Sequence, residues 1–143
     1  MNKEEFNKMN IFGLGLPNEA FAQYFIGNSY LKPLTNTKEC PIFLVNVTFE
    51  PGCRNNWHIH HATSGGGQIL VCTAGEGWYQ EEGKDAVSLV PGSVIHIPVG
   101  VKHWHGAKKD SWFSHIAFEI PGENCSNEWC EAVTDEVYNE LND

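Results

Sequence analysis

The chain has 143 residues, 41% hydrophobic and 12% aromatic, enough apolar side chain for one folded domain and too much for a disordered one. Its formal net charge is −9, from eighteen acidic residues against nine basic, and Arg54 is the one arginine. With Lys108-Lys109 as the one basic pair and no run of eighteen apolar residues, neither a nucleic-acid partner, an anionic membrane surface nor a helical membrane span is expected.

Residues 1–10 mix charged and polar side chains with Phe6 and Met9, and lack the apolar stretch and small-residue cleavage site of an export signal. The five cysteines (Cys40, Cys53, Cys72, Cys125 and Cys130) are odd in number and irregularly spaced. Both features lead to an expectation of reduced thiols and a cytoplasmic location. Cys125 and Cys130 have no second Cys/His pair nearby and are assigned no metal.

Residues 20–26 read as a strand or a helical turn, and residues 30–34 as a short strand. The run 42–50 is rich in β-branched and aromatic residues, and alternation puts Phe43, Val45, Val47 and Phe49 on one face. Strand-like runs follow at 68–73, 75–80, 86–90, 94–97 and 111–120. Pro51-Gly52, Pro91-Gly92 and Pro121-Gly122 each follow such a run, as turn residues do. Glu81, Glu82, Gly83 and Lys84 read as a solvated hairpin tip. Thr134 caps a short helix whose first turn holds Asp135 and Glu136, where negative charge suits the helix dipole. Short strands at regular spacing predict an all-β sandwich or barrel with a short C-terminal helix. We expect one domain over 1–143: a core barrel of about 40–121, an N-terminal arm of 1–39, and a C-terminal strand and helix within 122–143.

Six of the seven histidines fall in three groups: His58, His60 and His61; His96; and His103 with His105. Residues two apart on a strand point to the same side, so His58 and His60 converge inside a barrel while Ile59 faces away. His103 and Gln68 can complete a coordination sphere from elsewhere in the sheet. His105 follows His103 by two residues and points into the same cavity, as a general base or as an imidazole that orients its neighbours. His61, His96 and His115 read as structural. Trp57, Trp78, Trp104 and Trp112 read mostly as core.

The frame around these histidines resembles the two motifs of the cupin superfamily. Gly52 is followed by five residues, His58-Ile59-His60, a lengthened gap, Gln68, six residues and Gly75. Gly92 is followed by five residues, Pro98-Val99-Gly100, two residues, His103, three residues and Ala107. Three positions depart from the pattern: Gln68 stands where the family has Glu, Ala107 where it has Asn, and the gap carries Gly65, Gly66 and Gly67. Those glycines permit unusual backbone angles or the close approach of a ligand, or else form a loose loop at the barrel mouth.

The resemblance implies a double-stranded β-helix (jelly-roll) barrel and one divalent transition metal (Mn, Fe, Ni, Co or Zn) on His58, His60, Gln68 and His103. It also implies a homodimer, with the N-terminal residues as the dimerising segment. Gln68 either ligates through its amide oxygen or packs beside a three-histidine site. A neutral amide in place of a carboxylate leaves the ion its full charge, and so a stronger Lewis acid. Within the family the sequence is similar to small bacterial monocupins, including those associated with carboxymuconolactone decarboxylase and manganese hydroxynitrile-lyase cupins. The expected function is that of a metal-dependent enzyme, of lyase or dioxygenase type, on a small oxygen-bearing molecule. The alternative is a non-catalytic, metal-dependent small-molecule binder or sensor.

Overall fold

Alternating strands broken at glycine and proline build two facing sheets. The computed structural model describes residues 2–141; Met1, Asn142 and Asp143 lie outside the described residues. Helix α1 (Lys3–Met9) precedes strands β1 (Leu16–Pro17), β2 (Phe25–Ile26), β3 (Ser29–Pro33), β4 (Val45–Phe49) and β5 (Arg54–Asn55). Then come β6 (His58–His61), β7 (Ser64–Gly65), β8 (Gln68–Gly75), β9 (Gly77–Glu81) and β10 (Val87–Leu89). The chain continues through β11 (Val94–Ile97), β12 (His103–Ala107), β13 (Phe113–Glu119), β14 (Gly122–Glu123), β15 (Ser126–Trp129) and helix α2 (Asp135–Asn139).

One sheet runs β1-β3-β4-β13-β8-β11 and the other β10-β9-β12-β5-β2, with β6 joined to β12 and β15 joined to β6. Phe49, Leu70, Leu89, Ile97 and Phe113 fill the space between the sheets and are fully buried. This is the expected jelly-roll barrel. The connections are tight enough to demand glycine: a Cβ on Gly75, whose φ is 71°, would lie 1.7 Å from the Trp112 carbonyl oxygen. No described helix is long and apolar enough to cross a membrane.

The N-terminal residues are more than an arm. β3 pairs with β4 from Ser29↔Phe49 to Pro33↔Val45, and β2 pairs with β5, so this segment supplies strands to both sheets. The segment 20–26 holds both of the expected forms, a 3-10 turn over Ala22–Tyr24 followed by β2. Helix α1 was not expected. It starts at a reciprocal cap between Asn2 and Glu5, and its one buried side chain, Phe6, stacks on Trp112 at 5.7 Å. Covering by this segment buries both faces of β4. Asn46 Nδ2 donates to Asn10 Oδ1 and to the Gly13 carbonyl, each at 3.0 Å, while Val47 and Phe49 face the core. Phe43 departs from the expected alternation: it lies before β4 and is half-exposed.

The three-glycine segment is pinned, which decides between its two readings. β7 pairs with β14, Gly65, Gly66 and Gly67 all have positive φ, and a Cβ on Gly67 would lie 2.6 Å from the Ile97 carbonyl oxygen. At the other end of the chain Thr134 caps α2, accepting from the Val137 amide. Arg54 fastens that helix to the barrel: Nε and Nη2 donate to the Val133 carbonyl at 3.1 and 2.8 Å, and Nη2 also meets Asp135 at 2.6 Å.

Candidate metal centre

Strand alternation brings the histidines together. On β6, His58 and His60 are buried while His61 is exposed and meets Glu128 at 2.8 Å. On β12, His103 and His105 face inward and Trp104 outward, and His103 pairs in register with His58. Ring centroids of His58 and His103 are 4.1 Å apart, those of His58 and His60 5.3 Å, and those of His60 and His103 5.1 Å. Gln68, the first residue of β8, reaches the same point: its Oε1 is 3.2 Å from His60 Nε2. The rings of His58, His60 and His103 thus lie side by side, and Gln68 reaches them through His60.

The outer nitrogens of three rings are held by oxygen. His58 Nδ1 meets the Asn56 carbonyl at 2.8 Å, His103 Nδ1 the Val101 carbonyl at 2.9 Å, and His60 Nδ1 the Asn127 Oδ1 at 2.7 Å. An imidazole that donates from Nδ1 carries its lone pair on Nε2. Each of the three thus keeps an unprotonated Nε2 on the side away from that oxygen. His103 Nε2 is buried without a hydrogen-bond partner, and His60 Nε2 faces another acceptor, Gln68 Oε1. Lone pairs gathered in this way fit a divalent cation, and imidazole nitrogen with amide oxygen suits a transition metal. Burial first, and then the neighbouring His103, holds His58 well below the ordinary histidine pKa; burial lowers His103 to about 4. Both rings are neutral near pH 7, as ligands must be.

His105 occupies a related position. Ring nitrogens of His58, His103 and His105 lie within 4.8 Å of one another, so among the described residues the histidine cluster that can hold a metal ion has His105 where His60 was expected, and His60 stands beside it against Gln68. His105 differs in having partners at both nitrogens. Its Nδ1 is 3.1 Å from His115 Nε2, and its Nε2 is 3.2 Å from Asn55 Nδ2. Burial, and then His115, pushes its pKa well down, so it too is neutral.

His58, His60, Gln68 and His105 form the polar floor of a cavity of about 490 Å³, with His103 fully buried behind them. Phe25, Leu31, Phe43, Phe118, Ile120 and Trp129 give it apolar walls. Glu119 and Asn127 also line it, and burial raises the Glu119 pKa. Sequence reasoning missed Asn55, Glu119, Asn127 and Trp129 as site residues. Asn127 and Trp129 arrive on β15, which pairs with β6 through Asn127↔His60 and Trp129↔His58, a long-range register that no local pattern announces. His115 is buried beside His105 and lines the same cavity, whereas His96 is exposed on β11.

Comparison with known proteins places this geometry in context. A family model described as a cupin domain matches residues 45–114. The (R)-mandelonitrile lyase of Granulicella tundricola is 38% identical over 118 residues, which is 82% of this chain and 87% of that protein. The crystal structure of a cupin-like protein from Thermotoga maritima shares 38% identity and a TM-score of 0.77, covering 92% of this chain and 96% of that one. A predicted oxalate decarboxylase from the same organism shares the fold at 18% identity and a TM-score of 0.60, over 73% of this chain and 91% of its own. Identity of this extent over most of the length, on the same two-sheet fold, means that the chain belongs to the cupin family.

Proposed function

We propose that this cupin is a metal-dependent lyase that cleaves small α-hydroxy nitriles, with His58, His60, Gln68 and His103 as ligands to one divalent ion and His105 as the proton carrier. The observation that carries the reading is the unpartnered Nε2 of His103, buried among other unprotonated imidazoles beside an apolar cavity. The likeness to a mandelonitrile lyase supports the reaction class.

A divalent ion on these ligands supplies positive charge that favours the alkoxide form of a substrate hydroxyl. The protein does the rest. The apolar walls take the substrate's hydrocarbon part and exclude water from the floor. His105, neutral at pH 7, accepts the hydroxyl proton at Nε2 once the substrate hydroxyl displaces the Asn55 Nδ2 donor from that lone pair. As the carbonyl forms, the bond to the nitrile carbon breaks and cyanide leaves with the bonding electron pair. A buried imidazolium is a strong acid, so His105 returns its proton to cyanide, and the products are an aldehyde and hydrogen cyanide. Atoms and charge balance without an oxidant.

The test is a product assay on mandelonitrile, run with and without oxygen, on protein loaded with each of Mn, Fe, Ni, Co and Zn. The expected result is oxygen-independent release of benzaldehyde, with His105→Ala slower by about a hundredfold or more. Oxygen uptake on flavonol-type substrates would favour the dioxygenase reading. Tight ligand binding without turnover would favour the sensor. We also propose that the protein assembles as a homodimer through its N-terminal segment, where Ile11 and Leu16 are 78% and 77% exposed. Light scattering that reads the 16.0 kDa monomer would remove that part.

A further inference from the structure

His58 and His103 are held from behind by backbone carbonyls, but His60 is held by side chains. Asn127 Oδ1 accepts from His60 Nδ1 at 2.7 Å, and a Glu119 carboxylate oxygen lies 3.7 Å from the same nitrogen. The two residues arrive by strand register. Asn127 pairs with His60 across β15 and β6, and Glu119 pairs with Gln68 across β13 and β8. Residues directly opposed on antiparallel strands carry their side chains on the same side, so each stands against one of the proposed ligands.

The chemistry of this pair is directional. The Asn127 oxygen lies 2.7 Å from His60 Nδ1, and that oxygen can only accept. The proton of His60 is therefore fixed on Nδ1 and its lone pair on Nε2. A carboxylate beside that nitrogen, with an acceptor holding its proton, makes the far nitrogen more basic and orients the ring. Charge points the same way. The four proposed ligands are all neutral, because Gln68 stands where a carboxylate would bring a negative charge. Glu119, half-exposed at the cavity wall, is the carboxylate within 4 Å of the His60 ring.

We propose that Glu119 and Asn127 are a positioning pair that fixes His60 as an Nε2 donor and returns to the metal centre, through His60, the negative charge that the neutral Gln68 withholds. The proposal rests on the ligand set given under the proposed function. It predicts that metal affinity depends on two residues that touch no metal.

The experiment is a Zn(II) titration of the full chain against a competing chromophoric chelator, on wild type, Glu119→Gln, Asn127→Leu and Asn127→Asp. Asn127→Leu should weaken zinc binding about 10- to 100-fold, and Glu119→Gln about tenfold. Asn127→Asp keeps an acceptor on His60 Nδ1 and should bind within a few-fold of wild type. Long-range ¹H–¹⁵N spectra of the histidines should show one His60 tautomer, protonated at Nδ1, in wild type and Asn127→Asp, and a mixture in Asn127→Leu. Unchanged affinity in both Glu119→Gln and Asn127→Leu, or an Asn127→Asp as weak as Asn127→Leu, would overturn the pair while leaving the ligand set standing. A wild type that fails to bind zinc would overturn the ligand set, and the pair with it.

Discussion

Neighbouring residues on β5 and β12 face two different environments. Arg54 and Trp104 look outward onto the C-terminal helix, whereas Asn55 and His105 look inward onto the cavity. On the outer side Trp104 packs with Trp78, Val133 and Tyr138, and its Nε1 donates to Gln80 at 2.9 Å. Tyr138 covers Arg54 and donates its hydroxyl proton to the Ala107 carbonyl at 2.6 Å. On the inner side His103 Nε2 is buried without a partner, as is His115 Nδ1 on the facing strand β13. Buried polar groups normally find partners, because an unpaired one costs about 1–3 kcal/mol. Around β5 and β12 the outward side chains meet this rule while His103 on the inward side breaks it, a separation of stability from chemistry.

The sharpest way to break the contrast is to remove its largest outer side chain. Trp104→Ala should cost about 3–5 kcal/mol, measured by denaturant unfolding, because a fully buried indole leaves a cavity behind. Next, Arg54→Ala should cost about 2 kcal/mol through its lost charged hydrogen bonds to Val133, and should free α2 to exchange its amides faster. If either change abolished metal binding while the barrel stayed folded, the two faces would not be separate.

A pH titration probes the inner face. Burial pushes His115 down to about 3, below the histidine value of 6.5. The unfolded chain therefore takes up a proton first as pH falls. Stability from this group is fully present above about 6.5 and is lost progressively toward pH 3. Chelator-treated protein should lose stability over that window, and His115→Gln should flatten the slope. A slope unchanged by the substitution would contradict the assignment. The smallest effect belongs to Thr134→Ala, which removes the α2 cap and should cost about 1 kcal/mol without touching the cavity.

The sequence was legible where structure is local or framed by special residues. Alternation placed β4, β8, β11 and β13 within a few residues, the Pro-Gly turns closed strands, and the glycine frame singled out His58, His60, Gln68 and His103. It was not legible where distant strands meet. Glu119 ends an ordinary-looking strand, and Asn127 sits in a polar stretch, Ser126-Asn127-Glu128; both become site residues only through their register against β8 and β6. Helix α1 was missed because it is seven residues long and buries one side chain, although the Asn2/Glu5 cap was there to read. The three glycines could be read as a loose loop or as a place for unusual backbone angles or close approach of a ligand, and their positive φ values, with Gly67 under the Ile97 carbonyl, show the unusual backbone.

The claim on which the rest depends is that inward-facing imidazoles hold a metal. Elemental analysis of protein purified without added metal, in parallel with His58→Ala/His60→Ala, tests it most directly. Wild type should carry close to one transition-metal ion per chain, as three imidazoles and an amide provide for one ion with open positions. The double variant should carry none, with its far-ultraviolet dichroism unchanged because the outer face still fastens the barrel. A wild type devoid of metal, or a folded double variant that retains it, would contradict the account.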